Sequence, residues 1–142
     1  MANVAGVDGT PRGWAVVFNE GGDWRVENVS FFSHLVDGSD PLEIVAIDVP
    51  IGLLDAYEIG GRACDREARA LLQRRGSSVF PAPVRSVLEA SSYEDACARS
   101  RASAPNGKAI SRQTFAICGK IKEVDVLSAT ILRLAKQEVV TA

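Results

Sequence analysis

Two short apolar runs, each stopped by an aspartate, constrain the fold of this chain more than any other feature. Val4-Ala5-Gly6-Val7 ends at Asp8-Gly9, and Ile44-Val45-Ala46-Ile47 ends at Asp48-Val49-Pro50. Runs of this length bounded by turn residues read as strands. The unbroken run Ile44–Ile47 predicts a strand buried on both faces, which is usual for parallel pairing. Between the two, Trp14–Phe18 leads into Asn19-Glu20-Gly21-Gly22-Asp23, which has hairpin chemistry, and Trp24–Phe32 is rich in β-formers. The predicted opening is a three-strand antiparallel meander, then a short helix or turn over Ser33–Asp40, then a parallel fourth strand. If strands one and four are neighbours, roughly 4.8 Å apart, Asp8 and Asp48 leave the sheet at the same end and can share one cation. Ligand sites of open α/β sheets lie at that end.

The second half carries no equally clear strand. Arg62–Arg75, about Tyr93–Ala104 and about Arg112–Gln137 read as helices, with Gly76–Pro83 and Pro105–Gly107 as loops. There is no internal repeat or low-complexity tract, and residues 1–142 are read as a single α/β domain. A net charge of −2 leaves any attraction to nucleic acid to a local basic patch. Cys64, Cys97 and Cys118 are widely spaced with no CxxC, so they read as reduced packing residues and not zinc ligands. The opening MANVAGVDG has neither a basic n-region nor an apolar h-region. No apolar run approaches the roughly 18 residues of a membrane helix. The expected location is the cytoplasm, with no membrane partner.

Several residues are candidates for chemistry. An Asp at a strand end can simply cap a turn. For Asp8 and Asp48 the repeated grammar of apolar run, Asp, then Gly or Pro favours a shared role. Two crowded carboxylates repel unless a cation neutralises both, and all-oxygen ligation favours Mg²⁺ or Mn²⁺. On a helix at about 100° per residue, Arg62, Arg66, Arg69 and Gln73 form one stripe, with Cys64, Ala68, Leu71 and Leu72 opposite. That pattern suits phosphate contacts over an apolar underside, or a solvated face paired with Asp65 and Glu67. Arg74-Arg75-Gly76-Ser77-Ser78 is either an anion nest or an ordinary loop, with Arg85 following. In the last helix Ile117, Ile121, Val124, Ser128, Ile131, Leu132 and Ala135 make a core-facing stripe, while Gln113, Lys120 and Glu123 share a polar face. Asp125 points about 160° from Glu123, so a regular helix aims at most one of them at a metal. His34, the single histidine, has no evident partner.

Taken together, "VAGVDGTPRGWAVV", "VAIDVPIGL", "GRACDREARALLQRRGSSVFPAPVR", "SYEDACARS" and "ISRQTFAICGKIKEVD" resemble the DUF429 family, from about residue 3 to residue 127. The resemblance implies an RNase H-like mixed sheet with acids on strands one and four, matching Asp8 and Asp48. It also points to Arg62, Asp65, Arg69, Ser77, Ser78, Phe80, Pro81, Arg85, Gln113, Lys120, Glu123 and Asp125. Members of the family typically continue with a further strand and a late helix bearing another acid. After Asp125 the only acid here is Glu138, so a shortened member is expected.

The leading expectation is a metal-dependent nuclease in which Asp8 and Asp48 hold Mg²⁺ or Mn²⁺. Glu123 or Asp125 would be a further acid, Lys120 or Arg85 would lie near the scissile phosphate, and Arg62, Arg66 and Arg69 would grip the backbone. A second is phosphoryl transfer from a nucleotide, since Asp8-Gly9-Thr10 resembles the first phosphate loop of actin-like kinases. A third is a catalytically inactive domain that binds a partner or itself. An apolar fourth strand at the sheet edge and a long apolar helix stripe favour a homodimer.

Overall fold

A computed structural model describes the backbone of residues 3–36 and 42–140, with side chains through residue 129. The chain divides into two compact units, Met1–Val49 with Val126–Ala142 and Pro50–Asp125.

The first unit is built on a four-stranded mixed sheet. Strands β1 (Val4–Thr10), β2 (Gly13–Glu20), β3 (Asp23–Val29) and β4 (Ile44–Ile47) lie in the order β3-β2-β1-β4. The meander is antiparallel throughout and β4 runs parallel to β1, so the α/β sheet expected from the sequence is the one the chain forms. Alternation along β1 and β2 sorts the faces. Ala5, Val7, Trp14, Val16 and Phe18 are buried on one side. Phe32 and Leu35, from a 3-10 turn at Phe32–Leu35, are buried as well, and the Trp14 and Phe32 rings lie 5.3 Å apart. Asp37–Asp40, the end of the expected helix or turn, lie outside the described residues.

The opposite face is open. Register places Trp24, Val26, Val17, Gly6, Ala46 and Ile44 on it, and all six are exposed. The expectation that β4 is buried on both faces therefore fails. Ile44 is 59% exposed, because the apolar run sits at the sheet edge with only one face covered.

The second unit is helical, with α1 (Ala63–Leu72), α2 (Tyr93–Ala102) and the first half of α3 (Arg112–Val140). The predicted Arg62–Arg75 helix stops early. At Gln73 φ is +46°, which turns the chain out of the α-helix, and a 3-10 segment follows over Gln73–Ser78. Ser92 caps α2 by accepting from the Asp95 N–H at 3.1 Å. Tyr93 binds α2 to the entry of α3: its hydroxyl donates to the Ile110 carbonyl at 3.0 Å and its ring lies 5.9 Å from Phe115. On α3 the expected stripe holds where side chains are described, with Ile121 and Val124 buried and Ile117 half-buried. Ile131, Leu132, Ala135 and Glu138 lie outside the described side chains. Among the described residues no helix is long and apolar enough to cross a membrane.

The tight β1–β2 turn depends on Gly13, whose φ of +144° lies in a region L side chains avoid. A Cβ there would also collide with the Val29 carbonyl oxygen of β3. Gly6, by contrast, faces open space on the exposed face. Gly13→Ala is expected to lower unfolding free energy by at least about 1–3 kcal/mol. Gly6→Ala should be neutral or stabilise by up to about 0.5–1 kcal/mol. Urea denaturation of both variants checks this, and a wild-type midpoint for Gly13→Ala would refute it.

Candidate functional site

Parallel pairing of β1 with β4 brings the backbones of Asp8 and Asp48 to neighbouring positions. The last recorded β1–β4 pair is Val7 with Ile47, so the next residue on each strand is an aspartate. Both are exposed: Asp8 lies within β1 on the face of Gly6, and Asp48 is the first residue after β4. In the same row, Asp8 pairs with Ala15 and Ala15 with Asn28. The row Asn28, Ala15, Asp8 thus runs across β3, β2 and β1, with Asp48 just past the end of β4. Asn28 was not among the residues singled out in the sequence. Counting pairs back from the Gly21-Gly22 turn finds it.

Among the described residues no group of three or more His, Cys, Asp or Glu side chains gathers to hold a metal. The donor set at the row is therefore two carboxylates. That set fits Mg²⁺ or Mn²⁺, hard ions that accept one or two carboxylates and fill the remaining positions with water and substrate oxygens. It does not fit zinc, which favours closed sites with nitrogen or sulfur ligands.

The remaining candidates lie in the second unit and on α3. Of the α1 arginines Arg62 and Arg69 are half-buried and Arg66 is exposed, and most of the apolar positions opposite are exposed as well. Arg62 is turned inward: its Nε and Nη2 donate to Asp65 at 2.9 and 2.6 Å, and its Nη1 donates to the Ile51 carbonyl at 2.6 Å. Arg66 donates to the Gly61 carbonyl and meets Glu58 at 3.4 Å, while Arg69 donates to the Gly60 carbonyl. Cys64, Leu71 and Leu72, the supposed underside, are exposed, Leu71 at 83%. The physical reason is the loop before the helix. Gly60 and Gly61, at φ of +83° and +79°, present carbonyls to the helix, and the arginines are the donors within reach.

Asp65 is buried, and burial alone pushes its carboxyl up. The Arg62 hydrogen bonds and charge, aided by the Arg62 backbone N–H and the Arg69 charge, outweigh that and hold it below the ordinary carboxylate range. Arg62 and Arg69 also line a cleft of about 340 Å³, together with Tyr57, Glu58 and the Pro81–Val84 segment. Ser77 and Ser78 are exposed at the end of the 3-10 segment.

Arg85 is the clasp of this unit. It donates to the carboxylate of Asp125, to Asp55 at 3.3 Å and to the Leu53 carbonyl at 3.2 Å. The Asp125 hydrogen bond, more than any other contact, raises the Arg85 pKa. Asp125 therefore lies on the packed side of α3. Glu123 and Lys120 are half-buried and engaged in contacts, and Gln113 is exposed.

The motifs and the sheet now meet the family comparison. A family model described as "Protein of unknown function (DUF429)" matches residues 6–140. The chain belongs to the DUF429 family. No curated protein and no solved structure matches it. The span matched includes Asp8, Asp48 and every other candidate residue named above.

The Arg62–Asp65 pair gives a pH-dependent test. Removing one partner of a buried pair costs about 3 kcal/mol or more, so Asp65→Asn should destabilise by roughly that amount at neutral pH. The folded carboxyl titrates below its unfolded value of about 3.9, so its stabilisation is present above about pH 4 and lost as pH falls through the folded value. Denaturant titrations of wild type and Asp65→Asn from pH 7 to pH 2.5 should converge at the acid end. A difference that stays constant with pH would count against the pair.

Proposed function

We propose that this DUF429 protein is a metal-dependent phosphodiesterase acting on nucleic acid, with its centre at Asp8 and Asp48. The observation that supports the reading is the in-register β1–β4 pairing, whose next residues on two adjacent parallel strands are Asp8 and Asp48. A bound Mg²⁺ or Mn²⁺ would supply positive charge to the phosphate oxygens and acidify an attacking water. Asp8 and Asp48 would hold that cation. The small neighbours Gly6, Ala15 and Ala46 leave room above the carboxylates for a phosphodiester. Asn28, in the same row, offers a neutral donor to the substrate.

Calorimetry with Mn²⁺ should show binding to wild type and a sharp loss in Asp48→Asn. With Mg²⁺ or Mn²⁺, a panel of single-stranded, duplex and hybrid oligonucleotides should reveal cleavage that falls to the metal-free background in Asp8→Asn. A wild type that binds no metal, or a cleavage rate untouched by either substitution, removes this reading.

The exposed apolar band on the same sheet favours a second, compatible reading in which the protein self-associates. Trp24 is 72% exposed and Val26 70%, beside Val17, Ile44 and the unpaired edge of β4. A contiguous apolar face and a free edge are the features that pair with another copy. Light scattering coupled to gel filtration should give twice the chain mass at micromolar concentration, and the double variant Val26→Asp with Ile44→Asp should give the chain mass while staying folded. A wild-type monomer would refute it.

A further inference from the structure

The β1–β2 turn, next to the aspartate row, forms a second cleft whose chemistry differs from that row. It encloses about 420 Å³, within the range of small-molecule sites, and is lined by Thr10, Pro11, Arg12, Trp14, Val29 and Ser30, with Asn28 at its side. Its polar side chains include a guanidinium, two hydroxyls and a carboxamide, and among the described residues no carboxylate lines it. Arg12 is exposed, and among the described residues nothing hydrogen-bonds or ion-pairs with it. The side chains of Thr10, Asn28 and Ser30 are likewise without protein partners there. The arginines of α1 and Arg85, by contrast, spend their donors on Asp65, Asp125 and loop carbonyls.

We propose that this cleft binds a phosphate group, with Arg12 as the cationic anchor and Thr10, Asn28 and Ser30 as neutral donors. The guanidinium fork matches the geometry of phosphate oxygens, and hydroxyl and amide donors complete the shell without adding charge. Pro11, Trp14 and Val29 give the cleft an apolar wall, which suits a phosphate carried on an organic group over the free ion. The turn is held in place independently of any ligand, since Gly13 is fitted tightly against the Val29 backbone. Thr10 follows Asp8 by two residues on the same strand face, so a phosphate in the cleft lies one step along β1 from the aspartate row.

The proposal does not need a metal at Asp8 and Asp48, and its test is arranged to separate the two. Titrations in EDTA with inorganic phosphate, a nucleoside monophosphate and a short oligonucleotide read the cleft alone. Wild type should bind the phosphate-bearing probes, the nucleoside monophosphate more tightly than inorganic phosphate, with affinity falling as NaCl is raised. Arg12→Gln should weaken binding at least about tenfold, the loss expected for a charge-assisted hydrogen bond. Asp8→Asn should bind as well as wild type or better, because it removes a neighbouring negative charge. Among the described residues Arg12 has no hydrogen-bond or ion-pair partner, so the variant should keep the wild-type unfolding midpoint. Absence of binding to all three probes, or equal affinity for wild type and Arg12→Gln, would overturn the proposal.

Discussion

Parallel pairing of β1 with β4 joins segments about forty residues apart, with Val4 opposite Ile44 and Val7 opposite Ile47. Because successive side chains alternate between faces, a slip of one residue would send Asp48 to the covered side and bring Val49 to the open one. Glu43 supports the register from below, since its backbone N–H donates to the Asn3 carbonyl at 2.8 Å. The covered face then selects this register over its neighbours. Only with Ala5, Val7, Val16 and Phe18 turned inward do Trp14 and Phe32 meet in the core. The position of two charged groups is thus set by apolar packing on the opposite side of the sheet.

That dependence explains what could be read in the sequence. Strand existence, the meander and the meeting of Asp8 with Asp48 follow from run length, turn residues and alternation, which are local signals. The burial of β4 does not, because a run such as Ile44–Ile47 has the same composition whether its second face is covered or open. The exposure of Cys64, Leu71 and Leu72 on α1 does not follow from the pattern for a related reason. A stripe of arginines opposite leucines normally places the leucines inside, and here Asp65 takes the inner position with Arg62 closing over it. The signal lay outside the helix, in Gly60-Gly61. A pair of glycines just ahead of a helix marks a turn whose carbonyls need donors, and Arg66 and Arg69 are one turn or two away.

The second unit satisfies its polar groups through a few arginines. Arg62 binds Asp65 and the Ile51 carbonyl, and Arg85 binds Asp55, Asp125 and the Leu53 carbonyl. Each ties an irregular segment, Ile51–Gly61 or the chain before α2, to a helix. Long stretches without regular structure leave many backbone carbonyls to satisfy, and a guanidinium with five donors can satisfy several at once. The match of these residues to family motifs has a structural explanation that requires no ligand. Their guanidiniums are committed where they stand, which shifts attention to cations that are not.

Among the described residues Arg12 is such a cation, and its place on the sheet gives the first unit a polarity along β1. Asp8, Thr10 and Arg12 follow one another on one short stretch of chain, with Arg12 at the turn, and Asp48 follows the neighbouring strand β4. An anion approaching the open face is repelled by the aspartates unless a cation lies between them, and is attracted by Arg12 whether or not one does. A phosphate-bearing ligand would therefore settle first at the turn. It would engage the aspartate row only when a divalent ion is bound, so the order of binding follows from the order of charges along β1.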